Sequence, residues 1–314
     1  MSCPDRWAVR RERPLAVLGP TASGKSSLAL ALAELATADG EEIELVSIDS
    51  MQVYRGMDIG TATPTASERA AVRHHLIDLI DPSHTFTVSE FQTLAHRAIA
   101  DIQTRGNVPV LVGGTGLYLR AVIDDLEIPG QFPEVRRELA TELDTPSLHR
   151  RLVELDPTAA AKMEPSNRRR ILRALEVTVG SGRPFSSYGP GLDAYGDSRF
   201  VQVAVRWPRP ELDARIAARY RQQMDEGFLA EVRWLSDQQP SRTAMQALGY
   251  RELLAHVRGE TSLDEALELA LTRTRQFARR QERWFRRDPR VTWVDGPVGP
   301  ATLLEHWDLQ ARRP

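Results

Sequence analysis

An α/β fold, with a parallel sheet flanked by helices and carrying a helical insertion, is predicted by three features of the sequence. Apolar, β-branched runs alternate with helical patterns. The first run opens directly onto a glycine-bounded loop and a helix. From Asp124 to Arg199 the strand pattern then gives way to short amphipathic helical segments. The first run, Leu15-Ala16-Val17-Leu18, leads into Gly19-Pro20-Thr21-Ala22-Ser23-Gly24-Lys25-Ser26 and the helix-forming stretch 27–35. Strand, loop and helix start in that order are the context of a P-loop. Gly19 and Gly24 let the chain curl so that successive N–H groups converge on an anion. The helix N-terminus adds partial positive charge, Lys25 reaches the terminal phosphate, and the Ser26 hydroxyl can ligate Mg²⁺. A Ser/Gly turn with Lys25 in solvent is the ordinary alternative. The complete spacing and both flanks favour phosphate.

The second strand, 43–48, ends at Asp49-Ser50-Met51-Gln52-Val53-Tyr54. Ligands of parallel sheets sit beyond the carboxyl ends of the strands, so Asp49 and Ser50 share a rim with the P-loop. An aspartate here caps a turn equally well. Residues 57–64 read as a loop and 89–105 as a helix. The third strand, 108–112, closes in Gly113-Gly114-Thr115-Gly116-Leu117-Tyr118. A P-loop ATPase commonly places an acidic Mg²⁺ ligand at the end of such a strand. This chain has instead a glycine turn with one hydroxyl. Such a turn presents N–H groups, approaches a base closely, or simply joins strand to helix.

The organisation expected is a first core part at 1–123, a helical insertion at 124–199 and a second core part at 200–314. Within the insertion, Arg168, Arg169, Arg170 and Arg173 lie at helical spacing without acidic neighbours, which suits a solvated face or a phosphate-rich polymer. Residues 180–197 read as a flexible return. Then follow a strand at 200–205, a helix from Leu212 that puts Arg215 and Arg219 on one side, and a turn at 246–252 into another helix. The last long helix, 262–287, carries an apolar stripe of Leu267, Leu271, Phe277, Ala278, Trp284 and Phe285. Its seven arginines between Arg273 and Arg287 face one glutamate, Glu282. Arginines interleaved with aromatics suit RNA, although the formal net charge of −2 by itself does not.

No apolar run has the length of a membrane span, and the arginine-rich stretch 1–14 lacks the apolar segment of a secretory signal. The single cysteine, Cys3, falls in a tail expected to fray. It excludes an internal disulfide and points to a reducing, cytoplasmic setting. His74 and His75 are adjacent and lack metal-ligand spacing, so they read as structural or solvated. With no heptad or exposed apolar seam, a monomer is expected.

Taken as an ordered set, these stretches resemble the tRNA dimethylallyltransferases, or tRNA isopentenyltransferases. The match comprises the P-loop at 19–26, Asp-Ser-Met-Gln-Val-Tyr at 49–54, Met-Asp-Ile-Gly-Thr-Ala at 57–62 and Gly-Gly-Thr-Gly-Leu-Tyr at 113–118. It continues with Arg-Ala-Leu-Glu-Val at 173–177, Gly-Tyr-Arg at 249–251 and Arg-Arg-Gln-Glu-Arg-Trp-Phe-Arg at 279–286, and spans about residues 14 to 295. The resemblance implies that the P-loop (Gly19, Thr21, Ala22, Ser23, Gly24, Lys25, Ser26) binds the diphosphate of dimethylallyl diphosphate, with Mg²⁺ at Ser26. The five-carbon group would pass to N6 of the adenosine at tRNA position 37. Asp49 would take the N6 proton, with Thr115 and Arg219 at the reacting centre. Ser50, Met51 and Gln52 would meet the surroundings of the flipped base. The anticodon stem-loop would be held by Arg136, Arg169, Arg170, Arg173, Gln246, Gly249, Tyr250, Arg251, Arg279, Arg280, Gln281, Arg283, Trp284 and Arg286. Two departures stand out. Thr63 replaces the lysine usual after Gly-Thr-Ala, and 180–198 matches weakly. No zinc-finger extension follows, which points to the bacterial-type form. Two other classes remain open on the residues alone: a P-loop phosphotransferase, and an RNA-binding protein that uses phosphate as a structural ligand.

Overall fold

The computed structural model describes residues 3–312. Six strands, β1 (Leu15–Leu18), β2 (Ile43–Ile48), β3 (His74–His75), β4 (Val108–Gly113), β5 (Val201–Arg206) and β6 (Val291–Asp295), form one parallel sheet in the order β3-β2-β4-β1-β5-β6. Strand residues alternate between the two faces. On one face Ala16, Leu18, Val46, Ile48 and Leu111 join a core completed by Phe91, Leu119, Ile216, Phe228 and Ala278 from five helices. On the other, Leu15, Val17, Leu45, Val110 and Val203 pack against Leu28 and Leu32 of the Lys25–Ala38 helix and Leu303 and Trp307 of the Pro300–Ala311 helix. Burial on both faces is why β1 and β4 read as nearly continuous apolar runs, whereas β2 carries Glu44 and Ser47 among its apolar residues.

The strand order places the site. β4 lies between β1 and β2, pairing Leu18 with Gly113 on one side and Ile48 with Gly113 on the other. The segments leaving the carboxyl ends of β1, β2 and β4 are therefore immediate neighbours. β5 flanks β1 on the far side, with Leu18 opposite Ala204.

Several elements depart from the sequence expectation. The stretch expected to fray is a helix, Cys3–Glu12. Trp7 is 2% exposed and meets Trp307 edge-on at 6.2 Å, and Arg10 covers Trp7 while donating to Asp308 at 2.9 Å. Its partners lie some three hundred residues away, so no local pattern announced them. β6 and the helix after it were also unforeseen. His74 and His75 form the short edge strand β3, where His75 Nε2 meets Glu44 Oε2 at 2.6 Å.

Glu44 is a structural anchor at the start of β2. Its carboxylate, 1% exposed, also accepts from Arg105 Nη2 at 2.7 Å and Asn107 Nδ2 at 2.7 Å. Burial pushes its pKa up. The donated hydrogen bonds from Arg105, Asn107 and His75 outweigh that and hold it at about 2. The folded pKa lies below the ordinary 4.5, so this stabilisation is complete above pH 4.5 and is lost as pH falls toward 2. Glu44→Gln is expected to cost about 3 kcal/mol at neutral pH. In urea unfolding, the gap from the parent should narrow across that acid window; a pH-independent gap would refute the assignment.

Residues Asp125–Gly196 form a second compact unit. Its helices, Pro133–Ala140, Thr145–Leu155, Pro157–Ala161 and Arg168–Ser181, enclose Leu139, Leu148, Leu152, Ile171 and Leu175.

Candidate functional site

The P-loop is gripped from several sides by residues distant in sequence. Trp207 Nε1 donates to Ser23 O at 2.9 Å, Arg215 Nε to Ala22 O at 2.8 Å and Arg219 Nη1 to Thr21 Oγ1 at 3.2 Å. Thr21 N–H donates to Gln281 Oε1 at 2.9 Å. Ala22 holds φ 63°, a left-handed conformation that costs a non-glycine residue energy and persists only where neighbours over-determine it. Gly19 has a firmer requirement, since a Cβ there would lie 2.7 Å from Ser23 Oγ and 2.9 Å from Val205 O. Ser23 Oγ itself is buried without a hydrogen-bond partner among the described residues.

Beside Arg215, three further charges meet at this loop: Lys25, Arg219 and Asp49. Burial lowers the Lys25 ammonium from 10.5 to about 8, with Asp49 pulling it up and Arg219 pushing it down. Burial likewise lowers Arg219, and Asp49 again opposes the shift. Two desolvated cations beside one carboxylate leave a local excess of positive charge, which an anion relieves. Ser26, at the start of the Lys25–Ala38 helix, is exposed on the same rim.

Beside it, Asp49 Oδ1 accepts from Met51 N–H at 2.9 Å, so the turn-capping role that its sequence position allowed is realised. Among the described residues its Oδ2 accepts no hydrogen bond. Thr115 Oγ1 accepts from Ser50 N–H at 3.3 Å, and Thr115 N–H donates to Ile48 O at 3.3 Å. Asp49, Ser50 and Thr115 thus form one cluster at the ends of β2 and β4. The glycines of this turn serve close approach: a Cβ on Gly113 would sit 2.2 Å from Ile48 O, and one on Gly114 would sit 2.2 Å from Gln281 Nε2. Gln52 departs from its expected place toward a base. Its Oε1 accepts from Ser47 Oγ at 2.7 Å and its Nε2 donates to Ala62 O at 3.0 Å, so the amide braces the following loop.

That loop, 57–63, is held by two residues the motifs did not reveal. The Glu231 carboxylate accepts from the N–H groups of Asp58 at 2.9 Å, Ile59 at 2.7 Å and Gly60 at 3.0 Å. Gln223 Nε2 donates to Ile59 O at 2.5 Å. Both lie more than 160 residues from the loop they hold, and neither sits in a recognisable pattern. Thr63 is buried and bonds Thr61 Oγ1 at 2.7 Å, closing the loop internally. A cavity of about 40 Å³ lies between this loop and the P-loop, lined by Thr21, Ala22, Gly60, Ile216, Arg219 and Leu248 among others.

Residues 52–288 match the IPP transferase family. The chain belongs to this family. It is 50% identical to a tRNA dimethylallyltransferase of Kineococcus radiotolerans over 295 residues, 92% of each chain. Among solved structures, it is similar to the full-length tRNA isopentenylpyrophosphate transferase of Bacillus halodurans, at 35% identity and a TM-score of 0.67 over 96% of this chain and 98% of that one. It also resembles a eukaryotic dimethylallyltransferase acting on tRNA, at 26% identity and a TM-score of 0.74 over 95% and 76%.

In this chain the residues expected to hold RNA divide in two. Arg279, Arg280, Arg283, Gln246, Arg251, Arg169 and Arg170 are exposed, as is Arg286, which pairs with Glu282 at 2.6 Å. Others are buried or engaged by partners within the protein. Tyr250 is fully buried and its hydroxyl donates to Glu231 at 2.5 Å. Gly249 packs, since a Cβ there would lie 2.9 Å from Phe228. Gln281 is 7% exposed. Trp284 is half-buried over Gly116, where a Cβ would come within 2.1 Å of its ring. Arg136 and Arg173 both bind Glu176, at 2.9 and 2.8 Å, and Arg173 also donates to Pro129 O. The Arg168–Ser181 helix therefore does have an acidic partner, and it is Glu176 within the same helix.

The long helix, Leu263–Arg287, also differs in its packed face. Its buried line is Ala266, Ala270, Thr274, Ala278, Gln281 and Phe285, with Leu267, Leu271 and Trp284 only partly buried beside it. Small residues let the helix approach the core closely, and the larger ones flank the seam. Arg273 pairs with Glu252 of a neighbouring helix, so Glu282 is not the only carboxylate among its arginines. Among the described residues no group of three His, Cys, Asp or Glu could hold a metal ion, and no helix is long and apolar enough to cross a membrane.

Proposed function

We propose that this protein transfers the dimethylallyl group of dimethylallyl diphosphate to N6 of the adenosine at tRNA position 37, releasing diphosphate. The observation that carries the reading is the convergence of one carboxylate, Asp49, with two desolvated cations, Lys25 and Arg219, on a P-loop. An exocyclic adenine amine is a weak nucleophile. A carboxylate that takes its proton while the N6–carbon bond forms assists the attack. The carbon–oxygen bond to the diphosphate breaks with its electron pair leaving on oxygen, and Lys25, Arg219 and the loop N–H groups receive that charge. Thr115, bonded to Ser50, holds the Asp49 segment in place, and Thr21 and Arg219 line a small cavity beside the P-loop. The target adenine reaches this centre by leaving its stack.

Mg²⁺ belongs to this reading. The exposed Ser26 hydroxyl is a hard oxygen donor, and an ion seated on a diphosphate takes most of its ligands from phosphate and water. Bound there, it would neutralise part of the diphosphate charge. Action as a monomer in the cytoplasm completes the proposal. A phosphotransferase is less well supported, because β4 ends at Gly113 and leads through Gly114 to Thr115 with no acidic residue.

The test is incubation with Mg²⁺, labelled dimethylallyl diphosphate and unmodified tRNA, with ATP turnover followed in parallel. Label in the tRNA without ATP consumption is expected, and ATP hydrolysis with unlabelled tRNA would overturn the reading. The exposed arginines supply a second expectation. Arg280→Ala combined with Arg283→Ala should weaken tRNA binding and lower the salt slope, log Kd against log salt, by about 1.5. Unchanged slopes would remove this face from the RNA contact.

A further inference from the structure

Gln281 was expected to face RNA, yet its side chain is buried and both ends of its amide are used inside the core. Oε1 accepts the Thr21 N–H of the P-loop at 2.9 Å, and Nε2 donates to Gly114 O, in the turn that presents Thr115, at 2.9 Å. One planar group therefore spans the two segments that frame the reacting centre. The fit leaves no slack, because a Cβ on Gly114 would strike Nε2 at 2.2 Å. One turn further along the same helix, Trp284 lies over Gly116 with equal closeness. The helix carrying these two contacts is a 25-residue element whose exposed side bears Arg279, Arg280 and Arg283. A polyanion pulling on those arginines and an anion seated in the P-loop thus act on opposite sides of one rigid rod, with the Gln281 amide between them.

We propose that Gln281 is a positioning residue that fixes the P-loop against the Gly113–Thr115 turn and couples polyanion binding on the arginine face to diphosphate binding at the P-loop. The inference rests on the reaction proposed above only for the identity of the two ligands. Each side biases the same pair of hydrogen bonds, so occupation of one site changes affinity at the other, and the effect is reciprocal. Replacing the amide by an apolar chain of similar length cuts this link while leaving every exposed arginine in place.

The experiment measures inorganic diphosphate binding, with Mg²⁺, by calorimetry in the absence and presence of saturating unmodified tRNA. Parent, Gln281→Met and Gln281→Glu proteins are compared. The parent is expected to change diphosphate affinity about fivefold or more when tRNA is bound. In Gln281→Met the ratio falls toward one, with tRNA affinity in the absence of diphosphate unchanged. Gln281→Glu keeps the acceptor for Thr21 and loses the donor to Gly114, so it retains part of the ratio and serves if the methionine variant does not fold. A parent ratio of one, or a parent-like ratio in both variants, overturns the proposal. No turnover is read, so a protein that couples the two ligands but labels no tRNA would refute the proposed reaction and leave this inference standing.

Discussion

Asp49→Asn is expected to lower the rate of dimethylallyl transfer by about 10²- to 10⁴-fold, the range for a positioned general base, with tRNA affinity unchanged. Asparagine is the informative replacement. Its Oδ1 retains the bond from Met51 N–H, at 2.9 Å in this structure, so the Asp49–Tyr54 turn keeps its shape. Only proton acceptance and negative charge are lost. Asp49→Ala removes the cap as well, and a larger loss in that variant would report the added cost of a displaced Ser50–Thr115 contact. Single-turnover assays with tRNA and diphosphate substrate saturating separate the chemical step from binding. A rate in Asp49→Asn equal to the parent's would exclude proton transfer to this carboxylate.

Lys25→Met is expected to reduce the transfer rate by about 10²- to 10³-fold, as for loss of one preorganised charge stabiliser. It should also remove a pH dependence. Burial holds the free Lys25 at about 8, so its charge is present below that pH and lost above it. A diphosphate binds the charged form. Affinity should therefore be flat through neutrality and weaken as pH rises past 8. Binding above pH 8 should be accompanied by proton uptake, because the bound anion raises the Lys25 pKa. Calorimetry in two buffers of different ionisation enthalpy reads that uptake directly. Lys25→Met should bind weakly with no such uptake, and uptake persisting in the variant would assign the titration to another group.

Much of this site could be read along the chain because its chemistry is carried by local spacing. The P-loop needs a strand, two glycines, a lysine and a hydroxyl within eight residues of a helix start, and β1, the 19–26 loop and the Lys25–Ala38 helix are where that pattern put them. Asp49 followed from the rule that parallel sheets bind at their carboxyl ends, and the structure sets it beside Lys25. The long basic helix announced itself by density of charge.

Exposure was not legible in the same way. Arg280 and Gln281 are neighbours in one motif, yet one is exposed and the other is the buried brace of the P-loop. A motif records which residue types occur together, and the angle at which the helix meets the core decides which of them face water. Arg173 looked free on a basic face until Glu176, three residues on, proved to be its partner. Glu231 carries no motif at all. Its role depends on three backbone N–H groups more than 170 residues away, which fold into a nest around its carboxylate.

By itself, then, the sequence determined the α/β class, the phosphate loop, the rim on which Asp49 stands and the basic helix, because each is encoded within a few turns or one strand of chain. Tertiary structure alone decided that Gln281, Tyr250 and Glu231 work inside the protein, that Trp7 closes the core against Trp307, and that β4 brings Thr115 to Ser50. Those contacts join segments far apart in sequence, and burial and hydrogen bonding between such segments exist only once the chain has folded.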